Sequence, residues 1–276
     1  MNGANGAASR GQIWFEALTG RNGLVPGGPA SVRRADAPLG QDTARFLAVV
    51  PDPQNRFLRA RNGEVGLLEA WTLAQYVRET VGEESNGTRR PIIALVDVTS
   101  QAYGRREELL GIHLACAAAV DAYATARLAG HPVIALLVGR AMSGAFLAHG
   151  YQANRILALD DPGVLVHAMG KDAAARVTMR SVAELEKLGE TILPMAYDIR
   201  TYAKLGLLHR LIAGVNADAP SSGEVERIRG ELIAAVSDAR SSPQDLSNRL
   251  ASAAARENRA ASIEVRRRMA EQWSAT

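Results

Sequence analysis

Cysteine is nearly missing from this chain of 276 residues, with Cys116 the single example. One thiol excludes an internal disulfide and any multi-cysteine metal site. Its setting in the run LACAAAV predicts a buried thiol in a reducing compartment. Aromatic residues are also scarce, at 5%, so few stacking surfaces exist for nucleic-acid bases. Basic and acidic residues are interleaved along most of the chain, and a net charge of +3 does not by itself imply a polyanion partner. The triplet Arg266, Arg267, Arg268 reads as a solvated helix face. No apolar run reaches the ~18 residues a membrane helix requires, and MNGANGAASRGQ lacks the charged-then-apolar layout of a signal peptide. The expectation is a cytoplasmic protein with no nucleic-acid or membrane partner.

What is present is an ordinary globular composition, 47% apolar and 22% charged. Residues 1–10 are expected to be disordered, and 21–41, rich in Gly and Pro, irregular. FLAVVP, from Phe46, reads as a short strand. The apolar spacing of Leu67, Leu68, Trp71, Leu73, Ala74 and Val77 predicts a helix starting near Leu67. PIIALVD (Pro91 to Asp97) and VIALLV (Val133 to Val138) read as strands buried on both faces, separated by one long helix from Glu107 to Leu128. Ser143 to Tyr151 reads as a helix, and Arg155 to Leu159 and Val164 to His167 as two more strands. Ser181 to Glu184 carries capping-box spacing, and Ser242-Pro243 is a second helix-start signal before a helical tail. Alternating strands and helices predict an α/β domain with mostly parallel strands.

Ligands of such sheets gather beyond the carboxyl ends of the strands. Two loops occupy that position, TSQAYG after Asp97 and GRAMSGA after Val138. In the second, Gly139, Ala141, Ser143, Gly144 and Ala145 are all small. At the start of a helix the first amides have no internal acceptor. A bare Gly144 and a methyl-bearing Ala145 let a ligand oxygen approach two of those amides, forming an oxyanion hole. Close helix packing explains the same small residues without chemistry. Among the histidines, His113 reads as packing within an apolar helix, while His149 and His167 are candidates for proton transfer together with Tyr103. Asp97 reads as an acceptor for backbone amides.

The order of these segments resembles the carboxyltransferase branch of the crotonase-like superfamily. In VDVTSQAYG and the following helix, Asp97, Gly104, Gly111 and Ile112 fall at that branch's spacings. RAMSGAF (Arg140 to Phe146) and HAMG (His167 to Gly170) resemble its later motifs. Within the branch, GQIWFEALTG, ARFLAVVPD, LLEAWTLAQYV and VDVTSQAYGRREELLGI are similar to the gamma subunits of biotin-independent malonate decarboxylases. The resemblance implies a crotonase-like fold of repeated β-β-α units over residues 11–220, followed by a helical extension over 221–276.

It implies further that the chain is half of an active site. A beta subunit supplies the other half, an acyl carrier subunit presents malonate as a thioester on a phosphopantetheine-like (phosphoribosyl-dephospho-CoA) arm, and an alpha subunit transfers the carrier. No cofactor is bound directly and no biotin is needed. Carried onto this sequence, the backbone amides of Gly144 and Ala145 hold the enolate oxygen, with the Gln101 amide and Ser143 as further members. Ser100, Tyr103, Gly104, Met142, Phe146, His167, Met169 and Gly170 would contact substrate. Two departures stand out: Thr99-Ser100-Gln101 replaces Pro-Gly-Phe, and Ser143 replaces a glycine. Three other readings remain at this level. The chain could be a carboxyltransferase subunit of an acyl-CoA carboxylase, a serine hydrolase using Ser143, or a non-catalytic structural subunit.

Overall fold

The computed structural model describes residues 8–83 and 87–274. A first helix, α1 (Arg10–Thr19), precedes the hairpin β1 (Val32–Leu39) and β2 (Asp42–Val49). There follow α2 (Leu67–Gly82), β3 (Ile92–Val98), α3 (Arg105–Leu109), α4 (Ile112–Leu128), β4 (Val133–Met142) and α5 (Ser143–Ala148). Then come β5 (Arg155–Leu159), β6 (Leu165–His167), α6 (Lys171–Thr178), α7 (Val182–Thr191), α8 (Ile199–Lys204) and β7 (Arg210–Ile212). The chain closes with α9 (Ser222–Arg240), α10 (Asn248–Ala251), α11 (Ala253–Asn258) and α12 (Ala260–Ser274).

The strands form one sheet in the order β1-β2-β3-β4-β5-β7, with β6 beside the far end of β4. All pairings are parallel except the β1–β2 hairpin. Parallel strands covered on both faces are continuously apolar, and β3 and β4 are accordingly buried over Ile92–Val96 and Val133–Val138. Helices α2 and α4 pack together against the sheet, while α1 and α9 form a second pair on it. Trp14 of α1 is fully buried and donates its indole N–H to the Ala217 carbonyl at 2.9 Å.

β4 changes partners along its length, and this positions the site. On one edge it keeps β3, from Val133 to Ala141; on the other, Ile134–Leu137 pair with β5 and the last three residues, Arg140–Met142, pair with β6. The break coincides with a register shift opposite Asp97. The Asp97 carboxylate accepts the Arg140 N–H at 3.0 Å and the Gly11 N–H of α1 at 3.2 Å. A Cβ on Gly139 would lie 2.1 Å from Asp97 Oδ1, so glycine is required for the carboxylate to enter. Asp97 therefore acts as a backbone acceptor, though for the ends of α1 and β4 rather than for its own turn.

Several sequence expectations are corrected. Residues 1–7 lie outside the described part, but Ser9 caps α1 and Arg10 belongs to it, so order begins inside the segment expected to be disordered. The segment expected to be irregular contains β1, an edge strand whose Pro38 and charged residues obscure its alternation. The single helix from Glu107 breaks at Leu110 and Gly111, where Gly111 takes a φ of 81°. α5 ends at Ala148, short of Tyr151. Ser242-Pro243 starts no helix, and the tail is three helices rather than one. His113 is exposed, so it does not pack in the core. Cys116 is only partly buried, and that burial pushes its thiol up to about 11.

The expected boundary before residue 221 precedes a helix that shares the main core. Val225, Ile228, Leu232 and Val236 of α9 belong to the same buried cluster as the sheet, whereas α12 has no buried residue.

Candidate active site

Beyond the end of β4 lies a cavity of about 460 Å³. Ser143, Gly144 and Phe146 of α5 form one wall, and Val166 and His167 of β6 another. The segment from Leu193 to Ala196, with Tyr202, Leu205 and Leu207, closes the rest. The lining is mostly apolar, a setting in which a hydrogen bond to developing charge is worth more than in water.

Ser143 turns the chain from strand to helix with a φ of 60°, a left-handed conformation that costs a non-glycine residue on the order of 1 kcal/mol. Such outliers cluster where a site over-determines the backbone. The next amide, Gly144 N–H, donates to the side-chain oxygen Oε1 of Gln101 at 2.8 Å. Gln101 is held by the β-type contact of its loop with Val65, through Val65 N–H to Ser100 O and Ala102 N–H to Val65 O. The Ser100 hydroxyl donates to the Gln101 carbonyl at 2.5 Å. A Cβ on Gly144 would meet Gln101 Oε1 at 3.0 Å, so the carboxamide lies directly over the bare Cα.

The predicted residues thus fall into two groups joined by one hydrogen bond. Ser143, Gly144, Phe146 and His167 surround the cavity, while Ser100, Gln101, Tyr103 and Gly104 lie on the loop after β3. Gln101 reaches Gly144 through its side chain. Ala145 is fully buried and does not line the cavity, and Met142 is nearly so. Tyr103, Met169 and Gly170 are exposed.

The histidines separate cleanly. His149 is fully buried: its Nε2–H donates to the Leu95 carbonyl at 3.0 Å and its Nδ1 accepts the Tyr123 hydroxyl at 3.0 Å. With both nitrogens engaged and water excluded, burial lowers its pKa to about 4, so the ring stays neutral and structural. His167 is half-buried and lines the cavity, and its ring stacks on Tyr197 with centroids 3.9 Å apart and planes 13° from parallel. Burial pushes its pKa below the ordinary histidine range, against the opposing pull of the Met169 carbonyl. Tyr197 and Tyr202 carried no local sequence signal; both come to the site from the far side of α6 and α7. No cluster of three or more metal-ligating side chains occurs among the described residues.

A family model described as malonate decarboxylase gamma subunit matches residues 60–273. A curated relative, malonyl-S-ACP:biotin-protein carboxyltransferase of Malonomonas rubra, is 34% identical over 194 residues. That match covers 68% of this chain and 66% of the relative. Among solved structures, a Pseudomonas malonate decarboxylase hetero-tetramer in complex with coenzyme A contains a chain 59% identical, with a TM-score of 0.92. The match covers 96% of this chain and all of that one, 100%. A Pseudomonas malonate decarboxylase MdcD-MdcE hetero-dimer matches at 57% identity with a TM-score of 0.89, covering 96% of this chain and 100% of that chain. A transcarboxylase 12S matches at 18% identity and a TM-score of 0.63, over 85% of this chain and 42% of that one, which establishes the fold alone.

Proposed function

The chain belongs to the malonate decarboxylase gamma subunit family, and from that premise we propose that it forms a decarboxylating active site together with a beta subunit. The substrate is a malonyl thioester carried on the phosphopantetheine-like arm of an acyl carrier subunit, and the product is the acetyl thioester. An alpha subunit returns the carrier to malonate, and no biotin takes part. The complex works in the cytoplasm; no helix of the described residues is long and apolar enough to cross a membrane.

Decarboxylation requires no nucleophile. The C–C bond breaks, carbon dioxide leaves, and the electron pair becomes an enolate with charge on the thioester oxygen. Catalysis consists of holding that charge. The observation that carries the reading is the Gly144 N–H: its residue lines an apolar cavity, and the N–H is satisfied by a side-chain oxygen rather than by a main-chain carbonyl. A thioester oxygen can replace Gln101 Oε1 there without disturbing main-chain pairing. Such a preorganised donor contributes roughly 3–4 kcal/mol to the transition state. Phe146, Leu147 and Leu193 exclude water from the leaving carboxylate. Ser143 acts through its backbone, so a serine hydrolase is disfavoured: the one histidine facing the same cavity, His167, has a backbone carbonyl and a tyrosine as its partners rather than a carboxylate.

A second reading, carboxyl transfer to biotin, is favoured by the activity for which the Malonomonas relative is named. Carbon dioxide release from malonyl-carrier, measured for this chain with and without its beta partner and in the presence of avidin, tests both. Release only by the pair, insensitive to avidin, supports the decarboxylase; full release by this chain alone contradicts it.

A further inference from the structure

Decarboxylation leaves a carbanion-like carbon that must gain a proton, and the cavity lining includes one imidazole, that of His167. His167 ends β6 directly opposite Met142, the residue before Ser143 and Gly144. Its Nδ1 lies 2.9 Å from the Met169 carbonyl, which also accepts the Tyr197 hydroxyl at 2.8 Å. The Tyr197 ring covers one face of the imidazole, and the Tyr197 carbonyl takes the Val166 N–H at 2.9 Å, so stack and strand are tied together. The Met169 N–H is 3.2 Å from the same Nδ1, a contact available only to the other neutral tautomer. A protonated ring selects the carbonyl.

We propose that His167 exchanges a proton with the α-carbon of the acyl thioester, and that Tyr197 and the Met169 carbonyl are the positioning pair that orients its ring. The inference rests on the reading above that this cavity receives an acyl thioester. In the forward reaction the enolate carbon takes the proton from Nε2 of the imidazolium, and solvent reprotonates the ring. In the reverse of that step neutral Nε2 removes a proton from the acetyl thioester, and the enolate is reprotonated with solvent hydrogen. The elements around His167 carry Tyr197 and Asp198 before α8, Tyr202 in α8, Tyr151 after α5, Arg140 on β4, and Lys171 in α6. Lys171 is neutralised by Glu186 of α7 at 2.6 Å.

The test is exchange of the α-protons of acetyl-CoA in D2O by the assembled complex of this chain with its beta partner, read by mass spectrometry across pH 5–9. Wild type is expected to exchange, faster as pH rises through the His167 titration and level above it, because the neutral ring is the base. His167→Gln is expected to lose about 100-fold or more and to lose that inflection. Tyr197→Phe keeps the ring but frees a lone pair of the Met169 carbonyl for the imidazolium, and is expected to move the inflection to higher pH. Assembly checked by size-exclusion chromatography separates these effects from misfolding. Exchange by His167→Gln within threefold of wild type, or a wild-type complex that exchanges nothing, overturns the proton role. An unmoved inflection in Tyr197→Phe overturns the positioning. Carbon dioxide release by the same wild-type sample tests the decarboxylase reading separately, since exchange requires no malonyl group.

Discussion

The side-chain oxygen of Gln101 accepts the backbone N–H of Gly144 at 2.8 Å, joining the loop that follows β3 to the start of α5. The amide proposed to hold the enolate is therefore occupied by the protein's own carboxamide before substrate arrives. This internal hydrogen bond keeps the donor desolvated and oriented, and it competes with the thioester oxygen.

Removing the competitor has a defined consequence. A net hydrogen bond of about 0.5–1.5 kcal/mol must be exchanged on binding. Gln101→Ala is therefore expected to lower KM for the malonyl thioester roughly 2- to 10-fold, with the change in kcat/KM coming mainly from KM. Steady-state kinetics of the assembled complex checks this. A fall in kcat instead would make Gln101 itself a donor to the reacting oxygen.

Ser143 holds a φ of 60° with no glycine to relieve it. Ser143→Gly is expected to stabilise the chain by about 1 kcal/mol, seen as a higher urea midpoint. Ser143→Ala is expected to keep carbon dioxide release within about threefold, because only its backbone is used; the hydrolase reading demands a loss of several orders of magnitude.

Gly139 admits the Asp97 carboxylate, whose Oδ1 lies 2.1 Å from where a Cβ would be. Gly139→Ala expels it and breaks its bonds to Gly11 and Arg140. The expected cost is about 3 kcal/mol, or roughly 5 °C in a thermal melt.

The pH dependence of stability follows from His149, whose pKa falls to about 4 on folding because burial excludes the charged ring. Below its unfolded value near 6.5 the unfolded chain binds a proton that the folded chain does not, so stability drops as pH falls from there toward 4. The loss amounts to about 3 kcal/mol. Denaturant titrations between pH 4 and 7 measure it, and His149→Gln should flatten the slope.

Much of this architecture is written locally in the chain. The start of α2 at Leu67, the apolar runs of β3 and β4, and the reciprocal cap of Ser181 with Glu184 all rest on near neighbours, and each lies where the pattern placed it. Members of the gamma subunit family are legible in motif order for the same reason. β1 was hidden because an edge strand tolerates Pro38 and alternating charge. Gly144 and His167 could be marked from small residues and chemistry, but the cavity between them could not. Its far wall comes from Leu193 to Leu207, brought back by the bridge of Leu165 with Asp198. The role of Gln101 as a side chain, and of Tyr197 behind His167, exists only after that folding.

The most direct measurement of the central claim is carbon dioxide release from malonyl-carrier by the beta–gamma complex carrying Gly144→Val. The added side chain fills the space now held by the Gln101 carboxamide and blocks access to the amide. With assembly intact, kcat is expected to fall ~10²- to 10³-fold. An intact complex that turns over at the wild-type rate would contradict the account, since the charge formed as the C–C bond breaks would then be held elsewhere.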